Sequence, residues 1–269
     1  FCLATIDPDG NTTTGITRTS TSKLSWDADD NTDADAMKRA STGGIDNWDP
    51  LRYLNIWVCN LFNSGGGQTL GYAYLPGLQG SNQSWKDGLV VDYQHFGTIE
   101  TASTSDGRTP THEIGHYLGL EHTFCESGGC CDNDNNSWWG GNVDDTPACR
   151  GGNNIYFGTV NSSTNNNTCN DVSYSNAFNT NVIDMDENYM SYAATTWMFS
   201  QGQVDVMLAI LNTSTCLGER ANLTNSTATV NCISSNTSNL SSQDNLDIYP
   251  NPTKGDLFIN SSDKNITIS

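Results

Sequence analysis

Three of the chain's four histidines fall within the eleven residues His112-Glu-Ile-Gly-His-Tyr-Leu-Gly-Leu-Glu-His122, and no other stretch restricts so strongly what this polypeptide can become. On a helix His112 and His116 stand four residues apart, so their imidazoles leave one face about one turn from each other and can grip a single ion. Gly119 can adopt a positive φ at little cost, which ends the helix and turns the chain so that His122 returns as a third nitrogen. Upstream, Thr109 reads as the N-cap and Pro110 as a first-turn residue. In a chain of this composition the full His-Glu-x-x-His-x-x-Gly-x-x-His string arises by chance with a probability on the order of 10⁻⁶. Coincidence is a poor explanation.

Three neutral imidazoles leave a zinc ion doubly charged with one open position, where a bound water is far more acidic than bulk water. Glu113, beside the first ligand, is placed to take that proton as general base and to pass it to a leaving amine. Hydrolysis of an amide bond is the expected chemistry. A solvated helix face would account for the first five residues of the motif but not for Gly119 and His122. A structural zinc site normally closes with four protein ligands and would leave Glu113 without a task. His95 lies outside the cluster and is assigned nothing.

The remainder of the chain narrows the class. A net charge of −19 with only 11 Lys+Arg argues against nucleic acid or anionic lipid as partner, since affinity for phosphates comes from basic side chains. No apolar run approaches the roughly 18–20 residues of a membrane-spanning helix. Nine cysteines in an Asn-, Ser- and Thr-rich acidic chain point to an oxidising compartment, and the spacing of Cys125, Cys130 and Cys131 fits disulfides better than a zinc ribbon. The odd count leaves at least one thiol without a partner inside the chain, and connectivity stays open.

Strands are expected at Leu54–Cys59, Gly71–Leu75 and Leu89–Tyr93. Between Ser200 and Leu211 the period changes: Ser200 and Gln203 form a capping box, and Val204, Met207, Leu208 and Leu211 make an apolar stripe. Residues 125–186 show little periodicity, which a compact domain tolerates when disulfides or ions organise the loop. From these shifts residues 1–211 read as the catalytic domain, 212–244 as an Asn/Ser/Thr-rich linker, and 245–269 as the start of a separate β unit.

With the glycine and third histidine in place, the motif resembles that of the metzincin zinc peptidases, and Asn188-Tyr-Met-Ser-Tyr192 is similar to their Met-turn. The flanks GGIDNWDPLRYLNIWVCNL, LGYAYLPG, DGLVVDYQHFGT, DDTPAC and FSQGQ resemble the pappalysin family, especially its cytophagalysin-like bacterial members. The resemblance implies an α+β, two-subdomain endopeptidase: a mixed sheet and active-site helix above a loop-rich lower subdomain. It further implies that His112, His116 and His122 hold Zn²⁺ and that Glu113 and Tyr192 are catalytic, with Met190 lying beneath the imidazoles. The Gly71–Leu75 strand would be an upper rim that pairs with extended peptide substrates. Relatives carry another strand and a backing helix before the segment corresponding to Phe1, so the domain is expected to be truncated at its start. Their disulfide pattern is not carried over. An acidic residue three positions after the Met-turn tyrosine accompanies a basic preference in relatives; here that position is Thr195, and a pocket for neutral side chains is expected.

The resemblance also implies Ca²⁺ in the loop region, with Asp144, Asp145 and Thr146 as candidate ligands. The tail LDIYPNPTKGDLFIN resembles the beginning of the C-terminal sorting domain of type IX secretion, which implies a truncated β sorting module, the type IX machinery as a partner, and export to the outside or surface of a diderm bacterium. The competing reading is a catalytically silent, metal-stabilised extracellular binding or adhesion module. Glu113 separates the two, because a binding module has no need of a base beside the first ligand.

Overall fold

The computed structural model describes residues 2–78, 81–126, 128–131, 143–151, 166–194, 196–212 and 220–228, together with the backbone of three strands between residues 247 and 268. It is an α+β fold organised around one short mixed sheet. Strand β1 (Trp26–Asp27) pairs in parallel with β3 (Leu61–Phe62), and beside them lies a three-stranded sheet of β2 (Ile56–Cys59), β5 (Leu89–Asp92) and β4 (Gly71–Ala73), in the order β2-β5-β4. β2 runs parallel to the central β5, with Trp57 opposite Val90, whereas β4 is antiparallel to it, with Tyr72 opposite Val90.

The central strand is buried on both faces, as a continuous Leu-Val-Val run requires. Leu89, Val90 and Val91 are fully buried. Because side chains alternate across a sheet, Val90 joins a cluster with Trp26, Met37, Trp57 and Leu61 on one side, and Leu89 joins Tyr117 and Leu118 on the other. The second cluster is where helix α1 (Thr109–Tyr117) packs on the sheet, against β4 and β5. After the single-turn α2 (Asp171–Tyr174), helix α3 (Gln201–Asn212) adds Met207, Ile210 and Leu211 to the same cluster. Its apolar stripe is thus shifted from the expected one: Leu208 is half exposed and Ile210 takes its place against the core.

The capping box is present. Ser200 N–H donates to Gln203 Oε1 (2.9 Å) and Gln203 N–H donates to Ser200 Oγ (3.2 Å). By contrast, Thr109 does not cap α1: Arg108 occupies the cap without a side-chain bond, and its carbonyl accepts from His112 N–H (3.0 Å).

Packed structure continues past the boundary expected at residue 211. Helix α4 (Ala221–Thr224) packs on α3, and Arg220 is fully buried, its Nη2 donating to Asp87 Oδ1 at 2.7 Å and its guanidinium lying 3.2 Å from the centroid of the Tyr117 ring. Ala228 O accepts from both Thr5 N–H (2.9 Å) and Ile6 N–H (3.1 Å). Residues 220–228, read from composition as linker, are therefore part of the domain; polar composition conceals a buried cation whose partner is 133 positions away. Residues 229–246 and Thr195 lie outside the described residues. Farther on, β6 (Asp247–Tyr249), β7 (Leu257–Asn260) and β8 (Asn265–Ile268) form an antiparallel sheet in sequential order. Among the described residues no helix is long and apolar enough to cross a membrane.

Two disulfides, Cys125–Cys131 and Cys130–Cys169, cross the Gly- and Asn-rich region after the histidine motif. They supply order that periodicity does not.

Candidate active site

Helix α1 ends in a Schellman turn. Gly119 adopts φ 93°, Leu120 N–H donates to Gly115 O (2.9 Å), and Gly119 N–H donates to His116 O (2.9 Å). This reversal brings His122 back over the helix. The three Nε2 atoms then form a nearly equilateral triangle: His112 to His116 is 3.1 Å, His116 to His122 is 3.1 Å and His112 to His122 is 3.2 Å.

The opposite ring nitrogens settle the tautomers. His112 Nδ1 faces Tyr189 O at 2.6 Å, His116 Nδ1 faces Leu120 O at 2.7 Å, and His122 Nδ1 faces Glu126 Oε1. Carbonyl and carboxylate oxygens only accept, so each Nδ1 carries a proton, and in the neutral form of such a ring the lone pair is on Nε2. Burial, followed by the neighbouring imidazoles, holds His112 well below the ordinary histidine value and His116 down at about 4. At neutral pH, then, His112 and His116 bring no extra proton to the triangle. Three lone pairs facing one another at this distance repel unless a cation lies among them. Tetrahedral ligands with zinc–nitrogen bonds of about 2.0–2.1 Å stand about 3.3 Å apart, close to the observed triangle. The donor set fits zinc, and among the described residues no other group brings three His, Cys, Asp or Glu donors together in this way.

Glu113 is 5% exposed and its Oε2 has no hydrogen-bond partner. Burial pushes its carboxyl up to about 8. A divalent cation held by the imidazoles would favour the carboxylate again. Strand β4 runs directly over it. A Cβ at Gly71 would lie 3.1 Å from Glu113 Cγ and 2.9 Å from Val90 O, so the absence of a side chain there lets the strand approach the helix.

Beneath the histidines, Met190 is fully buried, and a Cβ added at Gly115 would overlap its Sδ. Glycine in the middle of the motif therefore makes room for the methionine. Tyr192 stands edge-on to His122 with ring centroids 4.7 Å apart, and burial raises its phenol to about 12, which keeps the hydroxyl protonated and able to donate. His122 stacks on Phe124 at 4.5 Å with an interplanar angle of 11°. The three histidines, Glu113, Phe124 and Tyr192, with Glu121, Glu126 and the β4 residues Gly71, Tyr72 and Ala73, line a cleft of about 410 Å³.

The histidines, Glu113, Met190 and Tyr192 thus come together. Asp144, Asp145 and Thr146 differ in setting: Asp145 receives Ser200 Oγ–H (2.7 Å) and Gly202 N–H (2.8 Å) at the start of α3, Asp144 is exposed, and Thr146 is buried. Sequence reasoning missed Glu126, Phe124 and Gly71. The only signal for Glu126 was a carboxylate four residues after the third histidine.

A model of the peptidase family described as Pregnancy-associated plasma protein-A matches residues 41–212. Among solved structures, Tannerella forsythia mature mirolysin in complex with a cleaved peptide is similar with a TM-score of 0.61 and 36% identity, covering 83% of this chain and 73% of that one. Mirolysin in complex with compound 9 gives the same TM-score and identity, with 74% of that chain covered. An extracellular metalloprotease of Arthroderma otae is 40% identical over 81 residues, 29% of this chain and 28% of that protein. A second, from Verticillium alfalfae, is 37% identical over 98 residues, 35% of this chain and 31% of that protein. The chain spans less than a third of the length of these two curated relatives.

Proposed function

Because the chain belongs to the pappalysin family of metzincin-type metallopeptidases, we propose that it is a secreted zinc-dependent endopeptidase hydrolysing peptide bonds in proteins, with His112, His116 and His122 holding the ion. The observation that carries this reading is the triangle of converging Nε2 atoms beside a buried carboxyl whose Oε2 has no hydrogen-bond partner. Zinc, when bound, supplies acidification of a water and polarisation of the scissile carbonyl. Glu113 takes the proton from the attacking water and delivers it to the nitrogen of the breaking C–N bond, so that a carboxyl and an amine leave. Tyr192 donates its hydroxyl proton in a hydrogen bond to the oxygen on which negative charge develops. The β4 edge away from β5 offers backbone groups to an extended peptide, aligning it along the cleft as an added strand. Mirolysin has been captured with a cleaved peptide, which supports a peptide as the occupant.

The test compares zinc content with cleavage of casein or gelatin in the wild type and in Glu113→Ala. One zinc per chain in both proteins, with cleavage lost in the variant, is the expected result; equal cleavage by both would remove Glu113 from the mechanism. A wild type that holds zinc and cleaves nothing would favour the binding-module reading.

The proposal extends to calcium at Asp144, Asp145 and Thr146, checked by whether calcium-selective chelation lowers the melting temperature. It extends also to a neutral preference after the scissile bond, from Thr195, and to residues 245–269 as the start of a type IX sorting module that directs the chain out of a diderm cell. Deleting those residues should then abolish export.

A further inference from the structure

We propose that Glu126 is the positioning residue that sets how tightly the third histidine holds the metal, an inference that rests on the zinc reading above. The three ligands are not supported alike. His112 and His116 sit on α1 and give their Nδ1 protons to the main-chain carbonyls of Tyr189 and Leu120, partners that no substitution removes. His122 lies beyond the end of the helix and gives its proton to a side chain, Glu126 Oε1.

The other restraint on His122 leaves a gap that Glu126 fills. Stacking on Phe124 fixes the plane of the imidazole. A half-turn about the Cβ–Cγ bond preserves that plane while exchanging nitrogens for carbons, and an apolar stack distinguishes the two orientations poorly. Only the orientation bonded to Glu126 aims Nε2 at His112 and His116. An anionic acceptor also strengthens the imidazole as a donor to metal, beyond what orientation alone provides.

Glu126 has a side chain that is 74% exposed, and an ordinary surface pair of that kind contributes little. Its neighbours Cys125 and Gly128, however, are tied down. Cys125 N–H donates to Cys149 O (3.0 Å), and Gly128 N–H closes a turn around Glu126 by donating to Cys125 O (3.0 Å). The Cys125–Cys131 disulfide spans the same turn and Cys130–Cys169 anchors its far end. A carboxylate carried on a fixed turn gives up little conformational freedom in meeting its partner.

The experiment measures zinc affinity by competition with a chromophoric chelator, using the full chain as wild type, Glu126→Ala, Glu126→Asp, Glu126→Gln and His122→Ala. Glu126→Ala and Glu126→Asp should weaken zinc binding about tenfold to a hundredfold, with the metal-free melting temperature unchanged. Glu126→Gln, which keeps an acceptor oxygen and loses the charge, should recover part of the loss. The visible spectrum of the cobalt-substituted protein should change in Glu126→Ala. Wild-type affinity in both Glu126→Ala and Glu126→Asp overturns the inference, and if the alanine variant does not fold, Glu126→Asp decides alone. Absence of zinc from the wild type, or undiminished affinity in His122→Ala, would instead bring down the metal-centre reading and this inference with it.

Discussion

Asn188 and Gln203 face each other as a reciprocal amide pair: Asn188 Nδ2 donates to Gln203 Oε1 at 2.7 Å, and Gln203 Nε2 donates to Asn188 Oδ1 at 3.1 Å. Both are buried, and each acceptor is used twice. Asn188 Oδ1 also receives Met190 N–H (2.9 Å), and Gln203 Oε1 also receives Ser200 N–H (2.9 Å). The turn carrying Met190 is thereby fastened to the first turn of α3. Gln203→Ala would leave the buried Asn188 Nδ2 with only the weak acceptor Met185 Sδ, at a cost of about 1–3 kcal/mol. Urea unfolding of Asn188→Ala, Gln203→Ala and the double variant should show a coupling energy of about 1 kcal/mol or more; strictly additive losses would mean that the pair does not act as a unit.

Gly115 should tolerate no side chain. Its missing Cβ is the space into which Met190 Sδ fits, so Gly115→Ala forces either the helix or the methionine to move and should destabilise by about 1–3 kcal/mol. Combining it with Met190→Ala should restore a substantial part of that loss, since the clash is removed from the other side. If the double variant is less stable than either single one, the two residues are not in steric competition.

Arg220 makes the end of the domain testable. Its charge is fully buried against Asp87 and Tyr117, and removing one partner of such a pair typically costs about 3–5 kcal/mol. Arg220→Ala should lower the melting temperature steeply, and a chain ended at residue 212 should behave like it. A chain ended at residue 212 that melts with the full domain would show that residues 220–228 add nothing.

Asp186 gives the stability a pH dependence of definite sign. Burial raises its carboxyl from 3.8 to about 6, against the pull of a hydrogen bond from Asn166 and with the charges of Asp184 and Glu187 adding to the rise. A folded value above the unfolded one means that the folded state favours the proton. The stabilisation is complete below about pH 4 and is lost as pH climbs through 6. The difference between wild type and Asp186→Asn should therefore change by up to about 2 kcal/mol between pH 4 and pH 7.5, with the variant gaining at the higher pH. Thermal melts across that range in calcium-free buffer read it directly; parallel curves would remove Asp186 as the cause.

What was legible in the sequence is what depends on neighbours along the chain. The spacing of His112 and His116, the helix-ending Gly119 and the Ser200–Gln203 box are each set within a turn or two, and all three are present as expected. Side chains whose partners arrive from elsewhere were not legible. Arg220 looked like part of a polar linker because Asp87 and Tyr117, which bury it, are distant in sequence. Thr109 has the chemistry of a cap, yet the helix begins one residue earlier than that role requires, with Arg108 in the cap position. Leu208 has the right period but faces outward, because the contact with Leu89 and Tyr117 selects Ile210. Glu126 gained meaning only once the direction of the His122 ring was known.

The bonds from Thr5 and Ile6 to the carbonyl of Ala228 join the first described segment of the domain to its last. Closing so long a loop is entropically slow, and it is rewarded only after everything between has been laid down. During synthesis the histidine helix emerges well before the residues that complete the packing behind it. A chain that already holds the histidine helix therefore still lacks the clasp at Ala228, and protection of the domain from added protease should appear only in chains that extend past residue 228.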